Sequence, residues 1–283
     1  MYLSLKQKEP GPARAVAPKA SPPKPKTIHP GELIRDVFNT PVKVRGQPIV
    51  RRAEDECEPG TADFFYRNAL DHMGAGRIGN AIFALRRAVE LRPDFADAYR
   101  ELGAIYKATG QYEDARAQYV EAVKILPGDA ESHFALGSIY DSLGQPNEAI
   151  REYLESIKIL PGYVEAYFCV ANSLSKKGLV DEAIWVYSKV IRLSPDYPAA
   201  YLNMGLAMQR KGALAEAALA FRKAIKLTKA DDMAHFHLGI TLYRQGDLFG
   251  AMREFGEALK INPDNREAGR KLESIMDAVA CAR

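Results

Sequence analysis

Cysteine is scarce in this chain of 283 residues, with Cys57, Cys169 and Cys281 far apart and odd in number. Such a set makes neither a disulfide framework nor a metal-ligand cluster. No run approaches the ~18 consecutive apolar residues that a membrane span requires. The opening residues, Met1 to Leu5, turn at once to Lys6, Gln7, Lys8 and Glu9, too soon for the apolar segment of a signal peptide. The expected location is cytoplasmic. Neither sign of charge dominates, since 39 Lys+Arg face 36 Asp+Glu for a net charge of +3. A strongly basic or acidic body is thereby excluded, and with it the broad field by which such bodies collect nucleic acid.

Glycine, by contrast, is placed with regularity. Gly76, Gly110, Gly144, Gly178, Gly212 and Gly246 stand 34 residues apart, and five residues after each comes Ala81, Ala115, Ala149, Ala183, Ala217 or Ala251. At a glycine frequency of about 7%, six in register by chance is on the order of one in ten million. Periods of this size mark repeat architectures. The reading divides residues 62–265 into six units, 62–95, 96–129, 130–163, 164–197, 198–231 and 232–265.

Within each unit, position 4 carries Phe65, Tyr99, His133, Tyr167, Tyr201 or His235, and position 8 is always Ala or Gly. With Leu102, Leu136, Val170, Met204 and Leu238 at position 7, and Tyr106, Tyr140, Leu174, Met208 and Leu242 at position 11, these form one buried face of a helix. The small residue at position 8 admits a neighbouring helix. Glycine at position 15 ends the first helix in a left-handed cap. A second helix follows, with Leu85, Tyr119, Tyr153, Tyr187, Phe221 or Phe255 at position 24, and Pro93, Pro127, Pro161, Pro195 and Pro263 close five units. Lys229 stands at that place in the fifth. Two antiparallel helices per unit are predicted.

This pattern of aromatic, Leu-Gly, Tyr, Gly, Ala, aromatic, Ala and Pro resembles the tetratricopeptide repeat family. The resemblance implies an all-α, right-handed superhelical solenoid whose concave face, lined by the first helices, binds peptides or helices of other proteins. Residues 266–283 read as a capping helix, with Ala268, Leu272, Ile275, Met276 and Val279 covering the last unit's open face.

Residues 1–61 differ in composition. Seven prolines fall within residues 9–30, interleaved with Lys19, Lys24 and Lys26, and residues 1–52 hold 11 basic against 3 acidic side chains. A segment so poor in apolar residues is expected to be a disordered, basic tail. A short helix is expected near 31–39, where Leu33, Ile34, Val37 and Phe38 share a face that needs a partner surface. Weak contact with an anionic surface is open to such a tail. Nucleic acid is not an expected partner, because the aromatics that stack on bases are absent from it.

The resemblance places positions 2, 5, 9 and 12 of the first helices on the concave side. Position 5 reads Tyr66, Arg100, Phe134, Phe168, Leu202 and Phe236; position 9 includes Asn172, Leu206 and Ile240, and Asn203 stands at position 6. Apolar side chains on a face otherwise solvated point to a binding surface, for which an apolar helix or extended segment is the expected ligand. The resemblance also allows two known groove chemistries to be compared. Asn172 and Asn203 match the central asparagines of repeats that clamp a chaperone's terminal carboxylate, but Phe168, Met233 and His237 replace the cations. The asparagine ladder of the repeats in O-GlcNAc transferases retains only Asn203.

Five histidines remain, of which His72, His133 and His235 occupy packing positions, while His235 and His237, two apart, do not face each other on a helix. No glycine loop for phosphate is left once the repeat glycines are set aside. The expectation is a non-catalytic interaction scaffold or adaptor without cofactor or metal. The alternatives are self-assembly through tail-to-groove docking, which would make a homo-oligomer, and a non-catalytic subunit of a larger enzyme complex.

Overall fold

The computed structural model describes residues 58–281; the expected tail, except for residues 58–61, and its short helix near 31–39 lie outside the described residues. The described residues form thirteen α-helices and no strand: α1 (Ala62–Gly74), α2 (Ile78–Leu91), α3 (Ala96–Ala108), α4 (Tyr112–Ile125), α5 (Ala130–Ser142), α6 (Pro146–Ile159), α7 (Val164–Lys176), α8 (Val180–Leu193), α9 (Pro198–Lys211), α10 (Leu214–Leu227), α11 (Asp232–Arg244), α12 (Leu248–Ile261) and α13 (Arg266–Cys281). The first twelve form antiparallel pairs, and each second helix packs on the first helix of the next pair. The result is an all-α, right-handed superhelical solenoid.

The turn inside each pair follows from its glycine. Gly76, Gly110, Gly144, Gly178, Gly212 and Gly246 have φ between 69° and 86°, which other residues adopt only with strain. The next N–H then reaches back to the carbonyl five residues earlier, as in Gln111 to Tyr106 at 2.8 Å and Leu179 to Leu174 at 3.0 Å. That bond satisfies a carbonyl that the helix end would otherwise leave without a donor. Across each pair, the ring or branched chain at position 24 lies over the small residue at position 8. A Cβ added to Gly103 would stand 2.6 Å from the Tyr119 ring, and one on Gly137 2.7 Å from Tyr153.

Positions 3 and 10 lock one pair to the one before. Ala98, Ala166, Ala200, Ala234 and Ala268 are fully enclosed at position 3, as are Ile139, Ser173, Ala207 and Thr241 at position 10. Helix α13 packs on α12, and its enclosed residues are Ala268 and Ile275. Its opposite side carries exposed Glu273 and Ala280, and Met276 is 52% exposed. The first pair has no such neighbour among the described residues; there Phe64 is half-buried and Asp71 is exposed at the same two positions.

Candidate functional site

The first helices, α1, α3, α5, α7, α9 and α11, carry the expected groove residues. Their position 5 side chains are not bare. Four of them, Tyr66, Arg100, Phe134 and Phe168, meet the residue at position 34, where the chain returns toward the next pair. Tyr66 lies 4.8 Å from Phe95, Phe134 4.9 Å from Tyr163, and Phe168 5.1 Å from Tyr197, ring centre to ring centre. Phe134 and Phe168 also pack on Tyr153 and Tyr187 of their own second helices. In the second unit the same contact is an ion pair, Arg100 to Asp129 at 3.4 Å, with Asp97 at 2.9 Å on the other side. Burial, with Glu101 and Asp97 adding to it, pushes the Tyr66 phenol up to about 12, so it stays neutral.

Phe236 differs most from the open position expected of it. It is 6% exposed and sits against Phe255 and His237. Its neighbour His237 stacks on Phe221, and burial pulls its imidazole below the usual range. Leu202, Leu206 and Ile240 are half-buried beside the same C-terminal core. The reason is geometric. Phe236 is covered by Phe255 of its own second helix, whereas Tyr66, Phe134 and Phe168 are covered by the connecting chain, whose path helical periodicity does not describe.

Asn172, Asn203 and Leu206 come together in a hollow of about 300 Å3 on the first-helix side. Asn172 on α7 accepts at Oδ1 from the Tyr187 hydroxyl at 2.6 Å and from the Asn203 amide at 2.9 Å. The Asn172 amide and the Asn203 carbonyl oxygen have no hydrogen bond among the described residues, although both asparagines line the hollow. Asp141 of α5, Cys169, Ser175 and Lys176 of α7, and Arg210 of α9 complete the wall. Asp141 accepts from Ser173 at 3.0 Å and from the Tyr153 hydroxyl at 3.2 Å. Burial pushes the Cys169 thiol up, which holds it in the weakly nucleophilic protonated form.

Lys176 and Arg210 lie outside the expected groove positions 2, 5, 6, 9 and 12. The signal was present one residue further on. Position 13 reads Gly74, Ala108 and Ser142, and then Lys176, Arg210 and Arg244. Among the described residues no group of three or more His, Cys, Asp or Glu is placed to hold a metal ion. No described helix is long and apolar enough to cross a membrane.

Known proteins match this architecture. Family models described as TPR repeat match residues 73–110 and 171–212, and models described as tetratricopeptide repeat match 94–161, 198–231 and 233–265. Among solved structures, YrrB, titled as a TPR protein with an unusual peptide-binding site, is 19% identical with a TM-score of 0.58, over 66% of this chain and 96% of its own. MamA of Desulfovibrio magneticus RS-1 is 24% identical with a TM-score of 0.57, over 60% and 96%. PilF of Pseudomonas aeruginosa is 16% identical with a TM-score of 0.61, over 77% and 97%. At such identities the likeness is one of fold. No curated protein sequence is similar enough to count as a relative. With helix pairs, turn glycines and family models all in one 34-residue register, the chain belongs to the tetratricopeptide repeat family.

Proposed function

We propose that this protein is a non-catalytic scaffold that holds an extended segment of a partner protein along its concave side, centred on the hollow between α7 and α9. The observation that carries the reading is the asparagine pair. Asn172 and Asn203 line the hollow, and each keeps one polar group without a protein partner among the described residues. A peptide unit of an extended chain carries one donor and one acceptor, the complement of a free amide and a free carbonyl. Leu206 in the same wall and the half-buried edge of Phe168 add apolar surface beside them. YrrB, with the same fold, is titled as having a peptide-binding site.

The test is a paired capture from native lysate with the intact chain and an Asn172→Ala, Asn203→Ala variant. These positions are preferable to Phe134 and Phe168, because those rings pack within the fold and their loss would cost several kcal/mol of stability, roughly 3–5 by analogy with other cores. Partners retained by the intact chain and lost by an equally stable variant support the groove. If the same partners bind both, the reading fails.

A further inference from the structure

Lys176, Arg210 and Arg244 occupy the last turns of α7, α9 and α11 at 34-residue spacing, so they recur at one place along the solenoid. Arg210 donates from Nη1 to the backbone carbonyl of Ser175 at 3.0 Å and to its hydroxyl at 3.1 Å. Arg244 makes the equivalent contact to the Gln209 carbonyl at 3.4 Å. These acceptors are neutral, so they orient the guanidinium groups without cancelling their charge. Neither arginine is in an ion pair among the described residues, and Lys176, 67% exposed at its side chain, is 3.9 Å from Asp141. Asp141, which also lines the hollow, offsets part of the Lys176 charge, so among the described residues the two arginines are the unpaired cations of the row.

The opposite end of the same helices supports the asymmetry. Position 2 is acidic in the first four units, at Asp63, Asp97, Glu131 and Glu165, and then becomes Ala199 and Met233. The cation column thus begins in α7, the helix of the last acidic position 2 residue, and continues through α9, whose first turn has no acidic residue, to α11, which keeps Asp232 in its first turn. Two of the three cations, Lys176 and Arg210, also line the hollow.

Building on the groove reading above, we propose that the C-terminal half of the groove selects a partner segment that alternates acidic and apolar residues. In an extended chain successive side chains point to opposite sides. One side would then present carboxylates to Arg210, Arg244 and Lys176, while the other covers Leu206 and Phe168, and the main chain meets Asn172 and Asn203. Arginine suits this role because its planar fork of donors matches a carboxylate.

The test uses a fluorescent octapeptide of alternating Glu and Leu with both ends blocked, and its twin with Gln in place of Glu, read by anisotropy against the full chain. The Glu peptide is expected to bind about tenfold more tightly, the sum of a few partly screened ion pairs. The difference should shrink as salt rises from roughly 50 to 500 mM. An Arg210→Gln, Arg244→Gln variant should lower binding of the Glu peptide to that of its twin and leave the twin unchanged. Equal binding of the two peptides, no binding of either, or a Glu preference that survives the double substitution each overturns the charge assignment. If Asn172→Ala, Asn203→Ala weakens both peptides equally while the charge preference is missing, the groove reading stands and only the charge assignment falls. The acidic run Glu54, Asp55 and Glu56 of a second copy is the rival occupant. Self-association of the intact chain in sedimentation, abolished by the same arginine changes, would assign the row to that copy and overturn the partner assignment.

Discussion

Glycine at position 8 is a matter of space rather than backbone freedom. On Gly103, Gly137, Gly205 and Gly239 an added Cβ would approach the ring of Tyr119, Tyr153, Phe221 or Phe255 to 2.6–2.8 Å, closer than packed carbons allow. Gly137→Ala should therefore destabilise the chain by about 1–3 kcal/mol through overpacking, visible as a lower urea midpoint. A second pairing is equally local. The two units with histidine at position 4 are those with glutamate at position 23, and His133 meets Glu152, and His235 meets Glu254, at 2.8 Å. Its hydrogen bond to Glu152 raises the His133 imidazole above its ordinary value, against the opposing pull of burial. A folded-state value above the unfolded one favours the protonated fold. This contribution is thus complete below about pH 6.5 and is lost as pH rises through the folded value. His133→Gln should remove that part of the pH dependence of the thermal midpoint between mildly acidic and neutral pH; an unchanged profile would refute the assignment.

At the scale of the element, the turns between units are less dependent on proline than their sequence pattern implies. Arg92, before Pro93, has φ −135° and ψ 91°, and Thr228, before Lys229, has φ −131° and ψ 94°. The fifth unit adopts the extended conformation that proline demands of its predecessor without having the proline. Lys229→Pro should therefore stabilise the protein by about 0.4–1 kcal/mol through the unfolded chain, measured as a raised melting temperature. The glycines of α12 divide in a similar way. Gly250 lies in the first turn, where its N–H is capped by Asp247 at 2.8 Å, whereas Gly256 is interior to the helix and carries the usual cost of roughly 1 kcal/mol. Periodicity was enough to place the pairs of helices. It was not enough for the position 5 rings, because Phe95, Tyr163 and Tyr197 belong to connecting segments whose path no helical period describes.

On the whole-molecule scale the solenoid is closed differently at its two ends. At the C-terminal end α13 covers α12 and turns a largely polar side outward. At the other end, Asn68 and Asp71 stand where the second unit has Leu102 and Ile105 and the third has Leu136 and Ile139, so the first pair presents polar groups at two places where the next two pairs are apolar. Replacing them with Leu and Ile should create a sticky end and concentration-dependent mass in sedimentation. Repeats stabilise one another through nearest neighbours, so amide exchange is expected to be slowest within residues 96–231; uniform protection would contradict this.

The 34-residue register determined the fold on its own, because each unit repeats the same small-against-large contact and the same left-handed glycine turn, and both are local. Asn172 and Asn203 were picked out through the resemblance, as matches to asparagines of known repeat grooves, because position 6, with Arg67, Glu101 and His237, is not an apolar column. Which columns remain accessible was decided by the tertiary structure. Superhelical stacking sets where residues 31 or more apart in sequence meet, bringing Asn172 to Asn203 and Ser175 to Arg210. The chain's return path buries rings that helical spacing alone leaves open.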